Sequence, residues 1–319
     1  MALSTKAIKT RIKSVKNTKK ITKAMEMVSA SKMRKAVDAA LNTRMYATLA
    51  SELLEHLSGI DEPNIPLLEK RPIKKVLMVL ISSNRGLCGG FNGNILRKSV
   101  ELFKDKEDLA THKIKSGEEA IDVLEDVEVE VLGIGKKSAA FAKKYDLPLI
   151  AVFDELSEAP SFEDILPISN MINNSYLDKT YDKVVIVYTH FQSSLVQTVK
   201  VRQALPVTNS EIEEMIADVS KDTDKEKKED SFPIEQYIFE PGLDSIIEHV
   251  MPRLVEIQLY QAILESAASE HSARMLAMKN ASESADDMVN SLTLAFNKAR
   301  QAAITQEIAE ISGGAAALE

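Results

Sequence analysis

The stretch KITKAMEMVSASKMRKA, Lys20–Ala36, sets five cations against one acid and fills its apolar positions with methionine and alanine rather than leucine and phenylalanine. It lies inside a segment, Ser4 to Leu57, that contains neither glycine nor proline. Apolar residues recur there at Ile8, Ile12 and Val15, at Ile21, Met25 and Val28, and at Val37, Leu41, Met45, Leu49, Leu53 and Leu57. Steps of three and four place them on one face of a helix. At 1.5 Å per residue such a helix is roughly 80 Å long, more than the width of a small domain. Gly59 and the Pro63/Pro66 pair are its stop signals.

The other end of the chain has the same character. A four-three alternation runs from Val250 through Leu254, Ile257, Gln261, Leu264, Ala268, His271, Met275, Met278, Ser282, Ala285, Val289, Leu292, Phe296, Ala299 and Ala303, and thirteen of these sixteen positions are apolar. A seven-residue repeat sustained over this length predicts a coiled coil, in which Gln261, His271 and Ser282 cost stability and set register. Pro252 kinks the first turns. Neither terminal helix can bury its stripe alone. The simplest solution is that the two pair as an antiparallel coiled coil, with the middle of the chain as a domain at one end.

That middle alternates strand-like and helix-like stretches. IKKVLMVLISS (Ile73–Ser83) is a buried-strand run followed by a glycine-rich turn and a helical pattern from Ile95. VEVEVLGIG (Val127–Gly135) and LPLIAVFD continue the series, and KVVIVYTHF (Lys183–Phe191) with LVQTVKVRQALP (Leu195–Pro206) predicts a strand pair joined by a short turn. The fold class is therefore α/β, a mostly parallel sheet with a hairpin at one edge, plus long α-helices. KDTDKEKKED (Lys221–Asp230) has no apolar residue and reads as a solvated insertion.

The chain has 319 residues and a formal net charge of −8. Residues 1–45 carry twelve Lys or Arg against Glu26 and Asp38, a local +10 that leaves −18 for the remainder. Segregation of this kind points the basic end at something negative. The single cysteine, Cys88, excludes an internal disulfide and a cysteine-rich metal site. No apolar run reaches bilayer length, and the opening residues offer no hydrophobic signal core.

The most enzyme-like stretch is SSNRGLCGGFNGN (Ser82–Asn94), a glycine-rich turn between a strand and a helix. Such turns can cradle phosphate. The spacing is neither G-x-G-x-x-G nor G-x-x-x-x-G-K-[ST], and tight strand-to-helix packing explains the glycines better. His56, His112, His190, His249 and His271 lie far apart without metal-ligand or nucleophile spacing. Cys88 is best explained as a small buried thiol. Phosphate tracking on nucleic acid would suit the basic helix, but its most basic part has no aromatic residue for stacking. A nucleotide-dependent enzyme, a nucleic-acid-binding coiled coil and a helical docking protein all stand open on these residues alone.

RIKSVKNTKKITKAMEMVSASKMRKA (Arg11–Ala36), RGLCGGFN (Arg85–Asn92), SARMLAMKNA (Ser272–Ala281) and NKARQAAITQEIAEISGGAAA (Asn297–Ala317) together closely resemble the gamma subunit of bacterial F-type ATP synthases. The match is in order and spans essentially the whole chain. It implies an N-terminal coiled-coil helix over 1–60, a central Rossmann-like α/β domain over 70–210, a linker or insertion over 211–240, and a C-terminal coiled-coil helix over 243–319. It implies a rotor shaft that transmits torque between a membrane c-ring and a ring of three alpha and three beta subunits, coupling proton flow to ATP synthesis. The implied partners are the alpha, beta and epsilon subunits and the c-ring, with no nucleic acid and no small-molecule substrate. No catalytic residue, cofactor or metal is implied. The implied location is peripheral, on the cytoplasmic face of the bacterial inner membrane. Carried over residue by residue, Lys23 and Met25 would face the beta subunits, and Arg300 and Gln301 would meet a beta-subunit loop through a bidentate arginine–carboxylate contact. Asn84 stands where the family commonly has Asp, and the cysteine pair of chloroplast relatives is missing. Two segments, 104–127 and 211–232, are longer than usual for the family.

Overall fold

A computed structural model of the chain describes residues 5–57, 66–104, 106–110, 127–157, 160–208 and 243–316. The linker expected over 211–240 and, within the long segment at 104–127, residues 105 and 111–126 lie outside the described residues. The chain divides into two compact units, one made of the residues up to Ser31 together with those from Arg274 onward, the other of Lys32–Ala273.

In the larger unit, β1 (Lys75–Ile81), β2 (Glu128–Ile134), β3 (Leu149–Phe153), β4 (Lys183–Phe191) and β5 (Gln197–Leu205) form a five-stranded sheet in the order β3-β2-β1-β4-β5. The β1–β2, β1–β4 and β2–β3 pairs are parallel; β4 and β5 form the antiparallel edge pair predicted from the sequence. Strands in the middle of such a sheet are covered on both faces, which is why KVLMVLI and KVVIVYTH are unbroken apolar runs rather than alternating ones. The alternation is instead between two cores. Leu77, Val79, Ile81, Val184, Ile186 and Tyr188 pack with Ile168, Ile172 and Tyr176 of α5 (Leu166–Leu177). Val76, Met78, Leu80, Val185 and Val187 pack with Phe91, Ile95 and Leu102 of α2 (Phe91–Lys104) and with Phe141 of α4 (Lys136–Lys144). A short helix, α3 (Glu107–Ala110), adds Leu109 and Ala110 to this second core.

The chain's first helix, α1, spans Thr5–Leu57, and its last, α6, spans Leu243–Ala316 and runs through Pro252. Met251, Leu254, Val255, Leu259, Ala262 and Ile263 of α6 belong to the same core as α5 and the sheet. Of these six, Leu254 belongs to the seam read from the sequence; the others lie off it.

In the smaller unit the thirtieth-odd residues of the chain's start meet its end. Lys19 forms an ion pair with Asp286, and the Thr22 hydroxyl lies 2.7 Å from that of Ser282. Numbers rise along one helix as they fall along the other. On α6, Met278, Ser282 and Ala285 are buried, and Val289, Leu292, Phe296 and Ala299 are half-buried, as the alternation predicts.

On α1 the expected face is covered at Ile8, Ile12 and Val15 but departs from the buried one further along. Ile21 is 61% exposed and Val28 53%, and Met27 and Leu41 are exposed too. The residues that stay covered follow their own four-three rhythm: Ile8, Ile12, Val15, Lys19, Thr22, Glu26, Ser29, Met33, Ala36 and Ala40. From Thr22 onward most of this inner face is small. Small side chains let a neighbouring backbone come close, and short hydroxyls can be buried because the helix satisfies them. Thr22 Oγ1 donates to the Lys19 carbonyl at 3.0 Å, and Ser282 Oγ to that of Met278 at 2.9 Å.

Candidate partner-binding surface

The four residues expected to meet a partner all lie in the smaller unit, at two separate places. Lys23 is exposed and bonds Glu26 at 2.9 Å, one turn along its own helix. Met25 beside it is half-buried. Arg300 and Gln301 are exposed on α6. With Thr22 opposite Ser282, the two pairs lie roughly 30 Å apart along the axis at 1.5 Å per residue. The structure does not gather them into one site.

Sequence reasoning missed the apolar neighbours of these residues. Ile21, Met27 and Val28 stand exposed around Lys23, and Met288, Leu294, Ile304, Ile308 and Ile311 stand exposed along α6. Ile304, Ile308 and Ile311 follow steps of four and three, so they share one face of the last turns. Every residue from Gln301 to Gly314 is exposed. Exposed apolar stripes beside cations are surfaces built to be covered. The signal was present in the sequence, since MEMVSASKM offers two apolar faces and the smaller one is the inner.

The glycine turn has a different job. Ser82 Oγ accepts from the Ser138 amide at 2.8 Å and donates to the Ile134 carbonyl at 3.1 Å. Asn84 Oδ1 accepts from the Lys136 amide at 3.0 Å, and the Ser83 carbonyl from that of Lys137 at 3.2 Å. The first three amides of α4 are therefore taken by the residues that follow β1. Gly135, at φ 89°, comes so close to them that a Cβ there would lie 2.2 Å from the Ser82 carbonyl oxygen. Asn92 fastens the other side, donating to Ser83 Oγ at 2.7 Å and to the buried Cys88 Sγ at 3.1 Å. This is a clasp holding β1, β2, α2 and α4 together. Among the described residues no His, Cys, Asp or Glu group could hold a metal ion.

A second clasp closes the opposite ends of β1 and β4. Arg71 Nε donates to Asp182 Oδ1 at 2.9 Å, and its Nη2 donates to the carbonyls of Tyr176 at 2.9 Å and Tyr181 at 2.6 Å. Asp182 Oδ2 accepts from the Lys74 and Lys75 amides at 2.8 and 3.0 Å. The Arg71 guanidinium also lies 4.3 Å from the centre of the Tyr176 ring. Burial pushes the Tyr176 phenol well above its ordinary value, against the opposing pull of the Arg71 charge.

The described chain is thus a clasped α/β sheet and two long helices, the first of them basic and both with exposed apolar side chains. The protein-family model described as ATP synthase matches residues 4–318. The ATP synthase gamma chain of Stenotrophomonas maltophilia (strain K279a) is 37% identical over 317 residues, covering 99% of this chain and 99% of the relative. That of Xanthomonas axonopodis pv. citri (strain 306) is 37% identical over 313 residues, covering 98% of each. The fold is similar to a chain of the Euglena gracilis mitochondrial ATP synthase, OSCP/F1/c-ring, in rotational state 3, with a TM-score of 0.64 at 19% identity over 99% of this chain and 94% of that one. The chain belongs to the ATP synthase gamma chain family.

Proposed function

We propose that this chain is the central shaft of a proton-translocating F-type ATP synthase. It carries torque between the membrane c-ring and the ring of alpha and beta subunits, and has no catalytic residue of its own. The observation that carries this reading is the reversal on α1, which keeps Thr22 and Ser29 covered and leaves Ile21, Met27 and Val28 exposed. A helix whose larger apolar side chains point outward beside cations is stable only against a second surface. Apolar and screened charge contacts are weakly directional, so a surface of this kind can slide past successive neighbours without locking. Methionine, with its flexible thioether, adapts to each in turn.

The terminal helices form an antiparallel coiled coil; the Lys19–Asp286 and Thr22–Ser282 contacts and the four-three spacing on α6 support this. The organisation is 1–60 and 243–319 as shaft helices, 70–210 as a Rossmann-like domain and 211–240 as a linker. Lys23 and Met25 face the beta subunits; Arg300 and Gln301 meet a beta-subunit carboxylate near the end of α6. The α/β domain meets the epsilon subunit and the c-ring. The assembly is peripheral on the cytoplasmic face of the inner membrane. No described helix is long and apolar enough to cross a membrane, in keeping with attachment through the c-ring.

The test is reconstitution. Alpha and beta subunits purified without this chain should gain ATPase activity when it is added and retain it through gel filtration. Failure of the full chain to co-elute with them would overturn the proposal.

A further inference from the structure

One face of α6 is polar where burial would favour an apolar one. Ile263 is the last residue of this helix in the core it shares with α5 and the sheet. Beside and beyond it, Gln261, Glu265, Ser269 and Ser272 follow steps of four, four and three, so they form a single stripe. All four are buried, none more than 2% exposed. Glu265 Oε1 accepts from Gln261 Nε2 at 3.0 Å, and its Oε2 lies 2.6 Å from Nδ1 of His190 on β4. Ser269 Oγ donates to the Thr189 carbonyl at 3.2 Å. Ser272 Oγ donates to the Ser194 carbonyl at 2.7 Å and accepts from Gln197 Nε2 at 3.4 Å, so it grips the turn between β4 and β5. The chain passes from the larger unit to the smaller directly afterwards, between Ala273 and Arg274.

Stability does not call for such a stripe, since apolar groups of similar volume replace a buried ion pair at little or no cost. What it adds is direction. Apolar burial is non-directional, whereas a hydrogen bond holds only over about 2.7–3.2 Å. With side-chain ends about 5–6 Å from the helix axis, a turn of about 10° shifts them by about 1 Å, enough to break the bonds. Resting on the shaft reading above, we propose that this stripe is a rotational key. It fixes the azimuth of α6 against β4 and the turn that follows, so torque taken up by the α/β domain turns the helix rather than rolling it in its seat. His190 and Glu265 are its central positioning pair.

The test is the number of protons pumped per ATP hydrolysed by the whole enzyme in vesicles, measured beside the melting temperature of each full chain. His190→Leu with Glu265→Leu removes the pair and its buried charge together, so it should melt within about 3 °C of the unaltered chain while the pumping ratio falls about twofold or more. Ser269→Ala with Ser272→Ala should lower the ratio too; these changes only shorten side chains, and they decide alone should the leucine pair fail to assemble. Glu265→Gln should keep the ratio, because Gln261 Oε1 has no hydrogen-bond partner in the chain and can turn to accept from the new amide. An unchanged ratio in both double variants, a fall that only tracks melting temperature, or a loss in Glu265→Gln as large as in the leucine pair would each overturn the proposal. Failure of the unaltered chain to couple pumping to hydrolysis would instead bring down the shaft reading, and the key with it.

Discussion

Replacing Asp182 with alanine should be among the more damaging single changes in the sheet unit. The Arg71 and Asp182 side chains are only 11% and 14% exposed. The carboxylate serves Arg71 with one oxygen and the Lys74 and Lys75 amides with the other. Removing one partner of a buried pair costs about 3–5 kcal/mol, chiefly because the surviving charge is left uncompensated. Two features place Asp182→Ala near the lower bound. Arg71 keeps its two carbonyl acceptors and a looser contact with Glu69 at 3.8 Å, and Lys74 is exposed, so water can reach its amide. The expected loss is therefore about 3 kcal/mol, a drop of roughly 6–12 °C in melting temperature for a unit of this size. Urea unfolding followed by circular dichroism measures it, with an unchanged m value showing that the folded state stays compact. Arg71→Met in the Asp182→Ala background removes the stranded charge, so the double variant should be less destabilised than the two single losses added together. A loss under about 1 kcal/mol for Asp182→Ala, or additivity within about 0.5 kcal/mol, would refute the reasoning.

Gly135→Ala should cost more than about 3 kcal/mol, because the new Cβ meets a carbonyl oxygen and φ is positive; denaturant melts and soluble yield report it. Thr22→Val should cost no more than about 1 kcal/mol in the same melts, since Ser282 keeps its bond to the Met278 carbonyl. Stability should be full below pH 10 and decline above it. The Tyr176 phenol is raised in the folded chain, so the unfolded chain loses this proton first, at up to about 1.4 kcal/mol per pH unit. Tyr176→Phe should flatten the decline, although Tyr181 and Tyr260, which are also raised, leave part of it. In the assembled enzyme, Met25→Lys should weaken coupling of proton pumping to ATP hydrolysis; unchanged pumping at a normal ATPase rate would count against its placement.

The sheet was legible in the sequence because strands covered on both faces must be apolar throughout, and KVLMVLI and KVVIVYTHF have few other outcomes. The face of α6 was legible for a related reason: its four-three alternation is carried by large residues such as Leu292 and Phe296, which do face inward. Beyond Val15, the face of α1 was not. Hydrophobicity locates a buried face only when the other face meets water. Where Ser29, Ala36 and Ala40 serve close approach and Ile21 and Val28 serve an outer surface, the scale points the wrong way. The contact of His190 with Glu265, 2.6 Å apart and buried between β4 and α6, was equally hidden. The two residues are far apart in sequence, and neither belongs to a local pattern. The same holds for the Arg71–Asp182 clasp, whose residues look like ordinary loop charges until β1 and β4 are placed side by side.

The small inner side chains of α1 have a consequence for tolerance to mutation. In a saturation library scored by cell growth on a non-fermentable carbon source, Ala36 and Ala40 should reject nearly every enlargement, while Ile21 and Val28 accept exchange for other aliphatics. Drift in this protein would then be policed most strictly at its least conspicuous letters.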